Sequence, residues 1–158
     1  GGYGNCTLSK FPILEQHNIE LRINNRKNRR GLLTLIDTPE GQLNLTNWHL
    51  GLAERDRHKQ VAMLLETPTF KEKIELPTII AGDTNDWRNT LHKAALQENG
   101  YESLAHCKSF PAYMPLGALD KAYANRKVAF IQGAAIRTKL ARTASDHLPV
   151  LIDFSLNC

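Results

Sequence analysis

Acidic, imidazole and amide side chains occur at or near the ends of strand-like segments at four places along the chain. The residues are Asn47 and His49 in LNLTNWHLG, Asp83 and Asn85 in PTIIAGDTNDW, Asp120 in ALDKAY, and Asp146 and His147 in SDHLPVLIDF. Because ligands collect at the carboxyl ends of strands in open α/β sheets, we expect these side chains to share one site. Crowded carboxylates repel one another unless a cation lies between them, and oxygen ligands favour Mg²⁺ or Mn²⁺ over zinc. The pattern therefore indicates chemistry at a divalent metal ion.

Taken one at a time, each of these residues has an ordinary structural interpretation. An Asp after an apolar strand is more often a turn former or a helix cap than a ligand. A lone His is usually a packed or surface residue, and a Trp such as Trp87 is more often part of the packing than of a binding site. The combination of three carboxylates, two histidines and two amides, all near strand ends, favours a functional site.

Hydrophobic periodicity predicts the elements that position these residues. Alternating apolar and polar residues predict half-buried strands, and the spacing of Val61, Leu64 and Leu65 predicts a helix that Pro68 ends. The predicted strands span residues 17–24, 31–37, 43–48, 77–82, 117–123, 128–138 and 148–154, and the predicted helices span residues 54–66 and 89–99. The fold class is therefore α/β with many strands, and two helices are too few to cover them.

The composition fits one soluble globular domain and gives little direct indication of a partner. The 158 residues are 42% hydrophobic and 23% charged, which disfavours disorder, and no apolar run is long enough to form a membrane-spanning helix. The net charge of +4 is compatible with a polyanionic partner without requiring one. Three widely spaced cysteines favour a reducing, cytoplasmic location.

A run of basic residues at positions 26–30 leaves two interpretations open. The sequence Arg26-Lys27-Asn28-Arg29-Arg30 is typical of a solvated hairpin loop, and it also suits a loop that contacts phosphate.

The motifs, read in order, resemble those of a known family. GNCTLSKFPI, NWHLG, GDTNDW, LDK and SDHLPV occur in the order found in the endonuclease/exonuclease/phosphatase family, which has the DNase I-like fold. The resemblance runs from Tyr3 to Phe154. Within the family, the chain most resembles small bacterial members that carry the motifs GDFNDW and LDRIYV. The resemblance implies an αββα sandwich and a metal-dependent phosphodiesterase or phosphatase, for which Mg²⁺ or Mn²⁺ is the expected cofactor.

The resemblance also implies roles for the residues at the carboxyl-terminal motif. Asp146 would be a metal ligand, and His147 would be the base or the group that polarises the phosphate. Asp120 would orient His147, since an Asp hydrogen-bonded to an imidazole fixes its tautomer and raises its basicity. Lys121 stands where the family frequently has Arg, which keeps the charge but loses the planar fork of the guanidinium.

Four further residues receive roles by the same resemblance. Asp83 and Asn85 would position and activate the attacking water or bind a second metal, which makes Asp83 a metal ligand as well as a catalytic residue. His49 would contact the scissile phosphate and could protonate the leaving group. Asn47 lies two residues before His49 and would bind substrate.

The amino-terminal part of the family pattern is not found in this sequence, which opens at the middle of that pattern. Family members begin with a strand that carries an Asn, followed by a strand and helix with a metal-binding Glu. We therefore expect residues 1–158 to form a single partial domain that comprises only the carboxyl-terminal half of the sandwich. The expected partner is the missing amino-terminal segment or a second copy of the chain.

Two functions are consistent with these observations. The first is metal-dependent hydrolysis of a phosphoester, with nucleic acid, a phospholipid head group or a small phosphodiester as substrate. The second is a catalytically incomplete half-domain that acts as a phosphate-binding or assembly module.

Overall fold

The computed structural model describes residues 4–157, which form two β-sheets and a helical layer. The strands are β1 (Ile13–Glu20), β2 (Arg30–Thr38), β3 (Gly41–His49), β4 (Thr78–Asp83), β5 (Glu102–Ala105), β6 (Asp120–Ala124), β7 (Val128–Ala135) and β8 (Val150–Leu156). The helices are α1 (Glu54–Glu66), α2 (Pro68–Lys71) and α3 (Lys139–Ala144), and a short π-helical segment spans His92–Leu96. The α/β class predicted from the sequence is confirmed. No helix among residues 4–157 is long and apolar enough to cross a membrane.

The larger sheet has six strands in the order β1-β2-β3-β4-β6-β5, and β7 pairs with β8 in a separate sheet. β3 and β4 are parallel, and α1 and α2 lie in the connection between them, as a parallel pair requires. The other strand pairs of the sheet are antiparallel. Consequently β3 and β4 end at the same edge of the sheet at which the antiparallel strand β6 begins.

Two apolar cores lie on opposite faces of the six-stranded sheet. Ile80 of β4 belongs to the core shared with Val61 and Leu64 of α1, whereas its neighbour Ile79 belongs to the core that includes Val128 of β7. Successive residues of a strand point to opposite faces, so one strand contributes to both cores. The chain therefore has a helical layer, a large sheet and a small sheet in that order.

The sequence predictions for individual elements were met to different degrees. The helix at residues 54–66 and the hairpin of β2 and β3 were confirmed, and the last two strands were confirmed with shifts at their ends. The predicted helix at residues 89–99 was confirmed only in part, since a π-helical segment spans His92–Leu96 and the helical conformation continues through residue 98. Asn89 has a φ of 56°, and Ala94 has φ −118° and ψ −132°, so the backbone leaves the helical region at both residues.

The first strand lies earlier than predicted. β1 ends at Glu20, so the apolar residues Leu21 and Ile23 that supported the prediction follow the strand. β1 is an edge strand whose residues are exposed except for Ile19, so it lacks the alternation on which the prediction depended. The short elements β5, α2 and α3 were not predicted.

Candidate active site

The strand register places three of the predicted site residues side by side at one edge of the large sheet. His49 is the pairing partner of Asp83 between β3 and β4, and Asp83 is the pairing partner of Asp120 between β4 and β6. Gly82 allows this close pairing because its φ is +136° and a Cβ there would lie 2.1 Å from the carbonyl oxygen of Trp48. The residues that close β3 and β4 therefore meet the residue that opens β6.

His147 joins this row from the loop between α3 and β8. Its Nδ1 atom lies 2.7 Å from Oδ2 of Asp120. The hydroxyl of Ser109 donates to the same Asp120 oxygen at 2.5 Å, and Ser109 is completely buried. The next residue, Leu148, is buried, and its backbone N–H donates to the Ser109 carbonyl at 2.8 Å. The imidazole of His147 is thus held by a carboxylate that is itself held in place.

The two histidines face the same carboxylate oxygen. Oδ2 of Asp83 lies 3.3 Å from Nε2 of His49 and 4.0 Å from Nε2 of His147. The side chains remain partly open to solvent, with exposed fractions of 29% for His49, 15% for Asp83 and 25% for His147. Two imidazole nitrogens and a carboxylate therefore surround one solvent-accessible point, where they can exchange protons with a bound ligand or polarise it.

The environment moves the pKa values of the two histidines in opposite directions. Burial opposes the charged form of His147, but the hydrogen bond to Asp120 and the charges of Asp120, Asp83 and Asp146 outweigh it and raise its pKa. Burial lowers the pKa of His49, and the nearby positive charge of Arg29 lowers it further against the opposing effect of Asp83. His147 therefore favours the imidazolium form more strongly than His49 does.

Asn85 is held beside Asp83 by its own backbone conformation. It has a φ of 51°, in the left-handed region that Asn tolerates, and its N–H donates to Oδ1 of Asp83 at 2.8 Å. Its side-chain amide donates to the carbonyl of Leu50 at 3.0 Å, which ties the end of β4 to the end of β3. Asn85 thus holds Oδ1 of Asp83, while the other carboxylate oxygen, Oδ2, faces the two histidines.

Asn47 lies next to this cluster without a described contact to its carboxylates or imidazoles. Its Oδ1 is 3.2 Å from the position that a Cβ on Gly82 would occupy, and its side-chain amide donates to the Cys6 carbonyl at 2.9 Å. Asn5 in turn donates to the Asn47 carbonyl at 3.0 Å. The structure therefore shows Asn47 anchoring the segment that precedes β1.

Asp146 lies at the exposed rim of the cluster. Its carboxylate accepts a hydrogen bond from the Ser145 hydroxyl at 3.4 Å, and its backbone carbonyl accepts one from the Ala112 N–H at 2.7 Å. Among residues 4–157, no group of three or more His, Cys, Asp or Glu side chains is arranged to hold a metal ion. The oxygen donors of Asp83 and Asp146 fit Mg²⁺ in their chemistry, because Mg²⁺ is usually held by one or two carboxylates together with waters and phosphate oxygens.

A buried charged pair, which the sequence analysis did not identify, connects the loop after β4 to β6. Nζ of Lys121 donates to the carbonyl of Asp86 at 2.8 Å and to Oδ1 of Asn89 at 3.0 Å, and it lies 3.5 Å from the Asp86 carboxylate. That carboxylate also accepts from the Leu91 N–H at 3.0 Å. Lys121 follows Asp120 directly, so this pair links the loop that carries Asn85 to the strand that carries Asp120. The available signal was one acidic residue and one basic residue, Asp86 in GDTNDW and Lys121 in LDK.

Aromatic side chains extend the site beyond His147. The Phe110 ring lies 4.7 Å from the His147 ring, and the Trp87 ring meets Phe110 edge-on at 5.9 Å. Trp87 is 59% exposed, so it is less buried than a packing residue would be. Gly117 leaves room for it, since a Cβ there would lie 2.6 Å from the indole ring.

Comparison with known proteins identifies the family. The sequence profile of the Endonuclease/Exonuclease/phosphatase family matches residues 1–147. The chain belongs to this family. It is 31% identical over 164 residues to the uncharacterized protein YbhP of Escherichia coli, a match that covers 99% of this chain and 64% of YbhP. The chain therefore spans less than two thirds of the length of the curated relatives that it matches.

Several solved structures share the fold of this chain. A functionally unknown conserved protein from Enterococcus faecalis has a TM-score of 0.77 at 19% identity, covering 93% of this chain and 68% of that one. The mannosyl-6-phosphatase of Bacteroides thetaiotaomicron has a TM-score of 0.76 at 17% identity, with the same two coverages. The human Nocturnin catalytic domain has a TM-score of 0.74 at 20% identity, covering 92% and 60%. The expected DNase I-like fold is thereby confirmed.

Proposed function

We propose that this chain carries most of the catalytic residues of a divalent-metal-dependent phosphodiesterase or phosphatase. The observation that carries the proposal is the position of Asp83 Oδ2 between the Nε2 atoms of His49 and His147. Membership of the Endonuclease/Exonuclease/phosphatase family supports the same reaction class. Nucleic acid, a phospholipid head group and a small phosphodiester all contain the bond that such a site would cleave.

The histidines are proposed to act on the phosphate group. A phosphodiester is a poor electrophile because its anionic oxygens repel a nucleophile, so a positive charge beside it lowers the barrier. The hydrogen bond from Nδ1 of His147 to Asp120 leaves Nε2 facing the point next to Asp83, where it would donate to a phosphate oxygen. His49 would contact the same phosphate from the opposite side and exchange a proton with the leaving group.

Asp83 and Asn85 are proposed to place the attacking water. Oδ1 of Asp83 already accepts the Asn85 N–H, which fixes the plane of the carboxylate, while Oδ2 lies within 3.3 Å of His49. A water held by Oδ2 would be oriented towards the phosphorus and could pass a proton to the carboxylate or to the neighbouring imidazole. The side chain of Asn47 lies next to Gly82, and it would bind substrate beside His49.

The proposed metal would be held by Asp146 and Asp83, with Mg²⁺ or Mn²⁺ as the cation. When bound, it would neutralise the charge that develops on the phosphate oxygens in the transition state. Mg²⁺ retains several waters and commonly takes ligands from the substrate phosphate, which suits a site with few carboxylates.

A second candidate function follows from the small number of metal ligands. Residues 4–157 present no group of three such side chains, and the chain matches 64% of the length of its relative YbhP. A half-domain of this kind would bind phosphate or assemble with another segment without hydrolysing a substrate.

One experiment separates the two candidates. The chain is incubated with bis(p-nitrophenyl) phosphate in the presence of Mg²⁺ or Mn²⁺ and, in parallel, with EDTA. Hydrolysis that needs the metal and is abolished by His147→Ala and by Asp83→Asn supports the enzyme. His17→Ala is the matched control, because His17 is an exposed histidine on β1 that pairs only with Glu15 in the described structure. A folded wild-type chain that hydrolyses neither this diester nor the monoester p-nitrophenyl phosphate above background supports the binding module.

A further inference from the structure

Arg29 is a buried arginine without a described partner. It is only 8% exposed, yet its guanidinium makes no ion pair or side-chain hydrogen bond with any residue in the range 4–157. Removing an arginine from water is costly unless an anion or a set of acceptors replaces the water. A guanidinium that belongs to a largely buried side chain but keeps contact with solvent therefore indicates a place for an anionic ligand.

The neighbouring arginines in the same basic run behave differently. Nε of Arg26 lies 2.9 Å from the Asp56 carboxylate, and Nε of Arg30 lies 3.7 Å from the Glu20 carboxylate. Both are well exposed, with 66% and 56% of their side chains accessible. They fit the solvated hairpin loop that the sequence allowed. Arg29 alone, of the three, fits the alternative in which this loop contacts phosphate.

Arg29 lines a polar cleft of about 200 Å³ that reaches the active site. The cleft offers amide and guanidinium groups, and no Asp or Glu is among its described lining residues. Side chains that line it are Asn5, Asn18, Asn28, Arg29, Arg30 and His49. A negatively charged group would enter this cleft without meeting a carboxylate.

The strand register explains why Arg29 lies beside His49. Gly31 at the start of β2 pairs with Trp48 near the end of β3, so the residues just before Gly31 lie next to those just after Trp48. The Arg29 carbonyl accepts the Leu21 N–H at 2.8 Å, which fixes the backbone at this point. Arg29 and His49 also line the same cleft, which places the two residues next to each other.

We propose that Arg29 binds a second phosphate group of the substrate, next to the phosphoester that lies between His49 and His147. This inference rests on the proposed function and narrows it to substrates with two phosphate groups near each other. A guanidinium is suited to this role because it donates two parallel hydrogen bonds to one phosphate. The second phosphate belongs either to the next link of a polynucleotide or to a small bisphosphate.

The first test measures anion binding without catalysis. Inorganic pyrophosphate is titrated into the 158-residue chain in EDTA, and the amide resonances of residues 28–31 are followed by NMR. We expect saturable shifts in the wild-type chain and a roughly ten- to hundredfold weaker affinity in Arg29→Gln, since a charged hydrogen bond is lost. Arg29→Lys should retain part of the affinity. Arg26→Gln is the control from the same run and should bind as the wild type does. Equal binding by wild type and Arg29→Gln, or no wild-type binding, would overturn the inference.

The second test uses pairs of substrates that differ by one phosphate. The ratio of kcat/KM is measured for a thymidine dinucleotide with and without its 5′-phosphate, and for a sugar bisphosphate against its monophosphate. We expect the ratio to exceed one in the wild type for one pair and to fall about ten- to hundredfold in Arg29→Gln. The pair that shows the effect identifies the source of the second phosphate. A ratio that Arg29→Gln leaves unchanged in both pairs would refute the subsite. If the wild type cleaves no substrate, the proposed function fails, while the pyrophosphate titration still decides whether Arg29 binds phosphate.

Discussion

Nδ1 of His147 lies 2.7 Å from Oδ2 of Asp120, and the opposite ring nitrogen lies 4.0 Å from Asp83. One carboxylate therefore orients the ring, and a second lies at the nitrogen that faces the ligand. The buried hydroxyl of Ser109 donates to the same Asp120 oxygen, which restrains the carboxylate. This arrangement fixes both the tautomer and the direction of the imidazole, and those two properties decide what the ring can do to a phosphate.

Replacing Asp120 tests that arrangement directly. We expect Asp120→Asn to reduce the hydrolysis rate by roughly 10²- to 10⁴-fold, because the imidazole loses its orienting carboxylate. The pKa of His147 should also fall, since the hydrogen bond and the charge of Asp120 are the main groups that raise it. NMR titration of the imidazole in the metal-free chain measures that pKa, and steady-state kinetics measures the rate.

Asp153→Asn provides the matched control for this substitution. Asp153 lies on β8, and its carboxylate accepts a hydrogen bond from the exposed Gln132 side chain at 2.5 Å. The control should leave the rate and the pKa of His147 as they are in the wild type. If the pKa of His147 in Asp120→Asn equals that of the wild type, Asp120 does not set the protonation of the His147 imidazole.

The buried pair of Asp86 and Lys121 leads to a prediction for stability. Burial alone would raise the pKa of Asp86, but hydrogen bonds from Leu91 and Thr90 and the charge of Lys121 outweigh it and lower the pKa. Asp86→Asn leaves the buried Lys121 ammonium without a counter-charge, and we expect a loss of roughly 3–5 kcal/mol in the free energy of unfolding at neutral pH. Urea denaturation followed by circular dichroism measures the difference.

The same pair gives the stability a defined dependence on pH. A carboxyl whose pKa is lower in the folded than in the unfolded state stabilises the fold above its unfolded pKa, and this contribution is lost as the pH falls through the folded pKa. The stability difference between wild type and Asp86→Asn should therefore be largest at neutral pH and shrink below about pH 4. A difference that stays constant down to about pH 3 would contradict the lowered pKa of Asp86.

The residues of the site cluster were predictable because a strand end is a local property of the sequence. His49 and Asp83 each end an apolar segment, and the parallel pairing of those segments places the two residues in register. Asp120 was found through its motif, although the predicted strand began three residues before it. Residue type and approximate strand boundaries were sufficient to predict that these side chains would meet.

Other parts of the site depend on distant contacts that a local pattern does not contain. Ser109 lies in no regular element, and its importance arises only from its hydrogen bond to Asp120. Arg29 belongs to a basic run that favours exposure, and its burial follows from the pairing of β2 with β3 beside it. The helix expected from residue 89 does not begin there, because Asn89 has a φ of 56° and its side-chain oxygen accepts a hydrogen bond from Nζ of Lys121. Tertiary contacts decided the structure at each of these positions.

The small sheet leads to a prediction about association. Phe130, Ile131 and Leu151 on β7 and β8 are 45%, 62% and 52% exposed. Exposed apolar side chains favour burial against another surface, so we expect the isolated chain to pair with a second copy of itself. Light scattering measures the mass, and Ile131→Lys should shift the chain towards the monomer. A wild-type chain that remains a 17.8 kDa monomer at high concentration would contradict this expectation.

Alanine substitutions at two glycines with similar φ angles separate the cost of backbone strain from the cost of a steric clash with β3. Gly41 has a φ of +125° and no atom within 4 Å of an added Cβ, whereas Gly82 has a φ of +136° and a Cβ there would lie 2.1 Å from the Trp48 carbonyl. Gly41→Ala should therefore cost only the backbone strain, about 1–2 kcal/mol in the free energy of unfolding. Gly82→Ala should cost more than about 4 kcal/mol, because β3 and β4 must also separate.

The activity of the two variants gives an independent measurement. The separation of β3 and β4 in Gly82→Ala would move Asp83 away from His49, because these two residues pair directly after Trp48 and Gly82. We expect the folded fraction of Gly82→Ala to lose most of its hydrolytic activity and Gly41→Ala to keep it, when both are assayed well below their unfolding temperatures. Equal stability and equal activity in the two variants would show that the close approach at Gly82 does not set the position of Asp83.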